Sequence, residues 1–172
     1  MFRRFLGQNA PAMLRKVTVH SSQELLQLDN NVSELVVGNN CCNDITELDL
    51  CRFKQLVSLR IGEKCFRLVN LFKIDGLNQL TTITVLNDSF TKVSVENLTK
   101  SNRGDIHRSF IITNCKKLAF IQIGARSFID FAGQFELKNL PSLKTLNIGL
   151  PQDKSLNFCE NDLVLRGTII KF

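Results

Sequence analysis

The residues of this chain best suited to chemistry are six cysteines and two histidines. Cys41, Cys42, Cys51, Cys65, Cys115 and Cys159 follow no C-x-x-C pattern. A structural zinc site needs four converging ligands, commonly in closely spaced cysteine pairs. Adjacent Cys41-Cys42 alone does not supply that set. A thiol nucleophile needs an imidazole beside it. The nearest candidate pair is His107 with Cys115, eight positions apart. His20 stands away from that pair and reads as a surface side chain. The thiols read as reduced, small, buried hydrophobes.

Other constellations are equally sparse. Paired carboxylates for acid–base work must face each other across a cleft. Glu47 and Asp49 instead fall on one predicted strand face near Lys73, a solvated row of charges worth little energetically. Arg103-Gly104-Asp105 spells an adhesion tripeptide, but three residues recur easily by chance. Asn31-Val32-Ser33, Asn87-Asp88-Ser89 and Asn97-Leu98-Thr99 match the glycosylation sequon. No secretory signal precedes them, so they are expected to stay unused. The chain contains no P-loop, dinucleotide fingerprint or H-E-x-x-H. No catalytic, metal or cofactor-binding residues are assigned, and no enzyme activity is expected.

Composition narrows the class further. The 172 residues are 44% hydrophobic and 22% charged, as in a folded globular domain. Thirteen Phe stand beside no Trp and no Tyr, so aromatic volume goes into packing without a polar handle. Of the net charge of +6, Arg3, Arg4, Arg15 and Lys16 supply four charges before the first acid, Glu24. The remaining chain is near neutral, which excludes a basic groove for nucleic acid. No apolar stretch is long enough to cross a membrane.

The elements that must position these residues emerge from an internal repeat. Leu56-Val57-Ser58-Leu59-Arg60-Ile61-Gly62 has a counterpart 24 residues earlier, from Val32 to Gly38. Further counterparts run from Leu80 to Leu86, Leu118 to Gly124 and Leu143 to Gly149. The intervals are 24, 24, 38 and 25 residues. A small residue and an apolar one follow each copy: Cys41-Cys42, Cys65-Phe66, Ser89-Phe90, Ser127-Phe128. A second alternation comes next, at Leu48/Leu50, Phe72/Ile74, Phe110/Ile112, Phe135/Leu137 and Leu163/Leu165. A third landmark falls at Phe53, Leu77, Cys115 and Leu140, which makes Cys115 a packing position.

Period-2 alternation predicts two short strands per coil, pairing in parallel with the equivalent strands of neighbouring coils. No coil buries its own apolar row, so stacking must create the core. Gly38, Gly62, Gly124 and Gly149 fall where each first strand turns, and a positive φ there is the expected reason for glycine. The 38-residue interval carries an insertion near 95–109, expected to project as a loop.

These units resemble the leucine-rich-repeat superfamily, and within it protist-type repeats with an I-G-x-x-[S/C]-F element, distantly BspA-like. Ile61-Gly62-Glu63-Lys64-Cys65-Phe66 and Ile123-Gly124-Ala125-Arg126-Ser127-Phe128 carry the likeness, which covers about Val32 to Gly167. The resemblance implies a mainly β, right-handed leucine-rich-repeat-like solenoid of about five coils. It also implies a recognition scaffold without enzyme activity. Asn40, Lys64, Asp88 and Arg126 occupy the turn where the family keeps a ladder of Asn, so no such ladder is expected, and the stack should be straighter than a horseshoe.

Three segments follow: a basic tail over 1–16, a cap over 17–31 and the repeats over 32–172. Ser21 and Glu24 have capping-box spacing, so the cap should be a strand and a short helix. Ile169, Ile170 and Phe172 are expected to form a last strand whose edge offers a route to self-association. The reading places the chain in the cytoplasm. A mitochondrial presequence over 1–16 is the alternative, although Pro11 interrupts that segment.

Two surfaces remain for function. Between the inward apolars of each first strand, Glu34/Val36, Ser58/Arg60, Thr82/Thr84, Phe120/Gln122 and Thr145/Asn147 point outward, a small polar row suited to a protein or peptide partner. The insertion offers Lys100, Arg103, Asp105, His107 and Arg108, because loops on rigid scaffolds often carry function. The expected function is a non-catalytic protein–protein interaction module. Alternatives are a self-assembling structural protein and, more remotely, a β-solenoid enzyme acting on polysaccharide.

Overall fold

The computed structural model describes residues 15–99, 101, 102, 104–149, 156–158 and 164–166, with Val95 and the last three by their backbone only. The described chain is mainly β, with two parallel sheets and few helical turns. The first sheet holds β1 (Arg15–Val19), β2 (Val32–Val37), β3 (Ser58–Ile61), β5 (Thr82–Val85), β7 (Phe120–Ile123) and β9 (Thr145–Ile148), in that spatial order. The second holds β4 (Leu71–Asp75), β6 (Ser109–Thr113), β8 (Phe135–Lys138) and β10 (Val164–Arg166). From β3 onward the chain therefore alternates between the sheets.

The register follows the repeat. Leu35, Leu59, Ile83, Ile121 and Leu146 are successive partners on the first sheet. Phe72, Phe110 and Phe135 are partners on the second, as are Ile74, Ile112 and Leu137. β-branched residues on a half-buried pleat favour this arrangement, as in Thr82-Ile83-Thr84-Val85, where alternate residues are buried.

Between the sheets lie two stacks of phenylalanine. Phe66, Phe90, Phe128 and Phe158 stack at 5.1, 4.6 and 5.3 Å between ring centroids. Phe72, Phe110 and Phe135 stack at 5.0 and 5.1 Å. The stacks meet edge to face, as in Phe110 against Phe128 at 5.1 Å. Each such contact adds roughly 0.5–1.5 kcal/mol beyond area burial. Phe53, Leu77, Cys115 and Leu140, the third landmark, are fully buried.

The cap forms as expected, with one variation. Helix α1 (Ser22–Leu26) has Ser21 at its N-cap, and Ser21 Oγ accepts the Glu24 N–H at 3.2 Å. Glu24 returns its carboxylate to the His20 N–H at 2.7 Å, one residue before the cap. β1 begins at Arg15, so Arg15 and Lys16 belong to the first sheet and not to the tail. Residues 1–14 lie outside the described residues.

Three further expectations are corrected. Gly38, Gly62 and Gly124 do not take positive φ; among the turn glycines only Gly149 does, at 73°. Glycine is required because successive turns touch. A Cβ on Gly62 would lie 2.5 Å from the Gly38 carbonyl oxygen, and one on Gly124 would lie 2.6 Å from the Asn87 nitrogen. The positive φ sits later in the turn, at Asn40, Lys64, Asp88 and Arg126 and again at Cys42, Phe66, Phe90 and Phe128.

The second correction concerns Leu48 and Leu50, which form no strand. Leu50 is buried as expected, but Asp49 Oδ1 accepts the Cys51 N–H at 2.9 Å in a local turn. Such a bond competes with sheet pairing.

Third, asparagine does bridge neighbouring turns, one residue before the position considered. Asn39 Oδ1 accepts the Glu63 N–H and Asn87 Oδ1 accepts the Ala125 N–H, each at 2.9 Å.

Candidate functional site

The first sheet turns one face inward and the other to solvent. On the outer face Glu34, Ser58, Thr82, Phe120 and Thr145 are aligned partners, and so are Val36, Arg60, Thr84, Gln122 and Asn147. Glu34, Arg60 and Asn147 are exposed, and the other seven are half-buried. Strands about 4.8 Å apart make this a continuous surface over five strands. β1 extends it, because Lys16 pairs with Glu34 and Thr18 with Val36. Lys16 Nζ lies 3.6 Å from Glu34 Oε2. The Val17-Thr18-Val19 alternation carried the signal for β1, but sequence reasoning assigned Lys16 to the tail.

Side chains on this face bond along the stack. Thr82 Oγ1 donates to Ser58 Oγ at 3.1 Å, and Asn147 Nδ2 donates to Gln122 Oε1 at 3.0 Å. Val36, Arg60 and Thr84 lie side by side, with Phe120 one row over. Arginine and aromatic side chains are enriched at protein interfaces, and this face carries Arg60 beside Val36 on β3 and β2 and Phe120 farther along on β7.

The insertion is not the free loop expected near 95–109. Arg108 is completely buried. Its Nη1 donates to Asp130 Oδ2 at 2.5 Å, and its Nη2 donates to the carbonyls of Val69 at 2.6 Å and Arg67 at 3.0 Å. Its guanidinium lies 4.4 Å from the Phe131 ring centroid. Asp105 forms a bridge with Phe131 and an ion pair with Lys92 at 3.4 Å. Burial raises the Asp105 carboxyl, but the His107 N–H and Lys92 outweigh it and hold it below its ordinary value. Arg108 and Asp105 are thus internal braces. His107 is exposed, while Lys100 and Arg103 lie outside the described residues, as do Ile169, Ile170 and Phe172.

Folding the insertion back creates a groove that sequence reasoning missed. It holds about 850 Å³ between the turn column Asn40, Lys64, Asp88 and Arg126 and a wall of Thr91, Lys92, Val93, Ser94, Glu96, Asn97 and Asn102, with Arg67 and Asn43 beside it. The turn column was legible as a column. The wall opposite was not, because it depends on Arg108 reaching Asp130. The backbone of the column is tied from turn to turn: the Asn40, Lys64 and Asp88 N–H groups donate to the carbonyls of Glu63, Asn87 and Ala125.

The five described thiols are placed for packing and hydrogen bonding, and Cys159 lies outside the described residues. Burial pushes Cys42, Cys65 and Cys115 up to about 11, and burial first, then Glu24, raises Cys41. His20 and Cys41 both approach Gly38: a Cβ there would lie 2.6 Å from His20 Nδ1 and 3.4 Å from Cys41 Sγ. A raised thiol pKa opposes nucleophilic use there. The pair named from sequence, His107 and Cys115, is separated by burial, with Cys115 in the core and His107 exposed. Among the described residues no group of three or more His, Cys, Asp or Glu could hold a metal ion. Among them, too, no helix is long and apolar enough to cross a membrane.

No family model matches the chain, and no curated protein or solved structure matches it either.

Proposed function

We propose that this chain is a non-catalytic protein–protein interaction module, built as a right-handed leucine-rich-repeat-type solenoid. The observation that carries the proposal is the outer face of the first sheet. Aligned residues from β1 to β9 make a broad, mainly polar surface with Val36 and Arg60 side by side and Phe120 as a separate apolar spot. Supporting the solenoid reading are the alternation of β3 to β10 between two parallel sheets and the aligned Phe stacks. Among the ten outward residues only Glu34 is a carboxylate, which leaves no acid–base pair on that face.

The test is affinity capture with the full chain, comparing wild type with the double variant Arg60→Glu/Phe120→Ser. A captured protein that is lost with the double variant, while its thermal unfolding stays cooperative, supports the face. Equal capture by both chains removes it. Detection of turnover on a captured partner overturns the non-catalytic reading.

A further inference from the structure

We infer that the groove between the turn column and the folded-back insertion binds a short acidic peptide segment. It is a second site, since none of the ten outward residues lines it. The argument rests on which polar groups are already used. Arg126 is committed to Asp88, its Nε and Nη2 donating to the two carboxylate oxygens at 2.7 and 2.9 Å. Lys92 is committed to Asp105 at 3.4 Å and Asn70 at 3.1 Å. Those pairs cancel.

At the other end Lys64 and Arg67 are exposed and have no carboxylate partner among the described residues. Among the described residues the Arg67 guanidinium makes only a long bond, at 3.4 Å, to the Lys92 carbonyl. Asn40, which also lines the groove, accepts from Asn43 through its oxygen at 3.4 Å. Glu96, on the insertion side, is the groove's remaining carboxylate, so Lys64 and Arg67 leave it with a net positive charge and the uncommitted groups on the column side are donors. A ligand there must bring acceptors with negative charge.

The groove also limits what that ligand is. At about 850 Å³ it falls within the range of ligand clefts and has room for several atoms beyond one carboxylate. Neither Phe nor His lines it, and the chain has no Trp or Tyr, so bases find no stacking platform. Lys64 and Arg67, three residues apart in one repeat, suit a pair of side-chain carboxylates better than a polyphosphate track, which would need cations continued along the stack. Rigidity favours binding. Lys64 sits at a φ of 55° on a turn bonded to both neighbours, so little backbone entropy is lost on docking.

The experiment is fluorescence anisotropy of the full chain with a labelled ten-residue peptide of alternating Glu and Ser. The same peptide with Gln for Glu, and a single-stranded DNA of matched charge, are the comparison probes. The expected result is binding of the Glu peptide alone, weakened by added salt. The double variant Lys64→Glu/Arg67→Glu should bind it about tenfold or more weakly, as expected for losing charge-assisted bonds. Arg60→Glu/Phe120→Ser should bind it as wild type does, which separates this site from the sheet face. Both substituted positions are exposed, and unchanged thermal unfolding checks the fold. Equal binding of the Gln peptide, tighter binding of DNA, no binding at millimolar chain, or no effect of the Lys64/Arg67 variant would each overturn the proposal.

Discussion

Ser89 reaches back across one repeat step to bond both Cys65 and Gly62 through its hydroxyl. The Cys65 N–H donates to Ser89 Oγ at 3.1 Å, and the Ser89 hydroxyl donates to the Gly62 carbonyl at 2.8 Å. The same pattern runs along the column. Cys65 Sγ donates to Gly38 O, and Ser127 Oγ to Leu86 O. The Ser89 N–H donates in turn to Ser127 Oγ at 3.0 Å. Asn157 closes the column by donating to the Gly124 carbonyl at 2.8 Å. The small residue in each repeat therefore satisfies buried backbone groups that the tight turn cannot pair itself.

Ser89→Ala should unfold at lower urea, with a loss of about 2 kcal/mol or more, because it orphans a buried N–H and a buried carbonyl. Cys65→Ser keeps both roles and should change stability by less than about 1 kcal/mol. Equal losses for the two variants would reduce the column to simple packing.

Gly62→Ala should cost about 1–3 kcal/mol, as an overpacked site does, since the added methyl meets the Gly38 backbone at 2.5 Å. Gly76 is the contrasting case. Its φ is 67°, nothing lies within 4 Å of an added Cβ, and Asn114 and Asn139 take φ of 55° at the corresponding ends of β6 and β8. Gly76→Asn should therefore be nearly neutral in the same urea titration.

Arg108→Met alone should be severely destabilising, by about 3–5 kcal/mol, because it strands the Asp130 carboxylate in the core. Arg108 Nε and Asp130 Oδ1 have no hydrogen-bond partner among the described residues, so the pair itself is imperfectly satisfied. The double variant Arg108→Met/Asp130→Leu should recover much of the loss. A double variant as unstable as the sum of both singles would contradict the pairing.

Alkaline pH should weaken the fold. The Cys42, Cys65 and Cys115 thiols rise from 9.0 to about 11 on folding, chiefly through burial. Their contribution is complete below the unfolded value near 9 and is lost as pH rises toward 11, because the unfolded chain releases those protons first. Urea midpoints between pH 8 and about pH 11 should fall, less steeply for Cys65→Ser. At the acid end, the Thr113 hydroxyl and then the Asn114 amide hold the Asp75 carboxyl below 3.8. That contribution is present above 3.8 and is lost as pH falls through the lower folded value.

What the sequence made legible was whatever the repeat period controls. Leu59, Ile83 and Ile121 announce the register because a period-2 pattern admits one inward face. Phe90 and Phe128 announce the stacks because they recur at one landmark. The outward row was legible for the same reason. Close approach was not, since a glycine needed for contact between Gly38 and Gly62 looks like one needed for its φ. Arg108 was misread because arginine is rarely buried without a partner, and its partner Asp130 lies 22 residues away in another repeat. The missing strand at Leu48 and Leu50 turned on one side chain, Asp49, whose local bond outweighs a correct apolar alternation. The groove combines a legible column with an illegible wall.

The most direct measurement on the proposed recognition face is amide hydrogen exchange of the full chain, free and bound to a captured partner. The expected result is added protection in β2, β3, β5 and β7 around Val36, Arg60, Thr84 and Phe120, with β4, β6 and β8 unchanged. Protection concentrated on the second sheet, with the first sheet unaltered, would contradict the assignment of the recognition face.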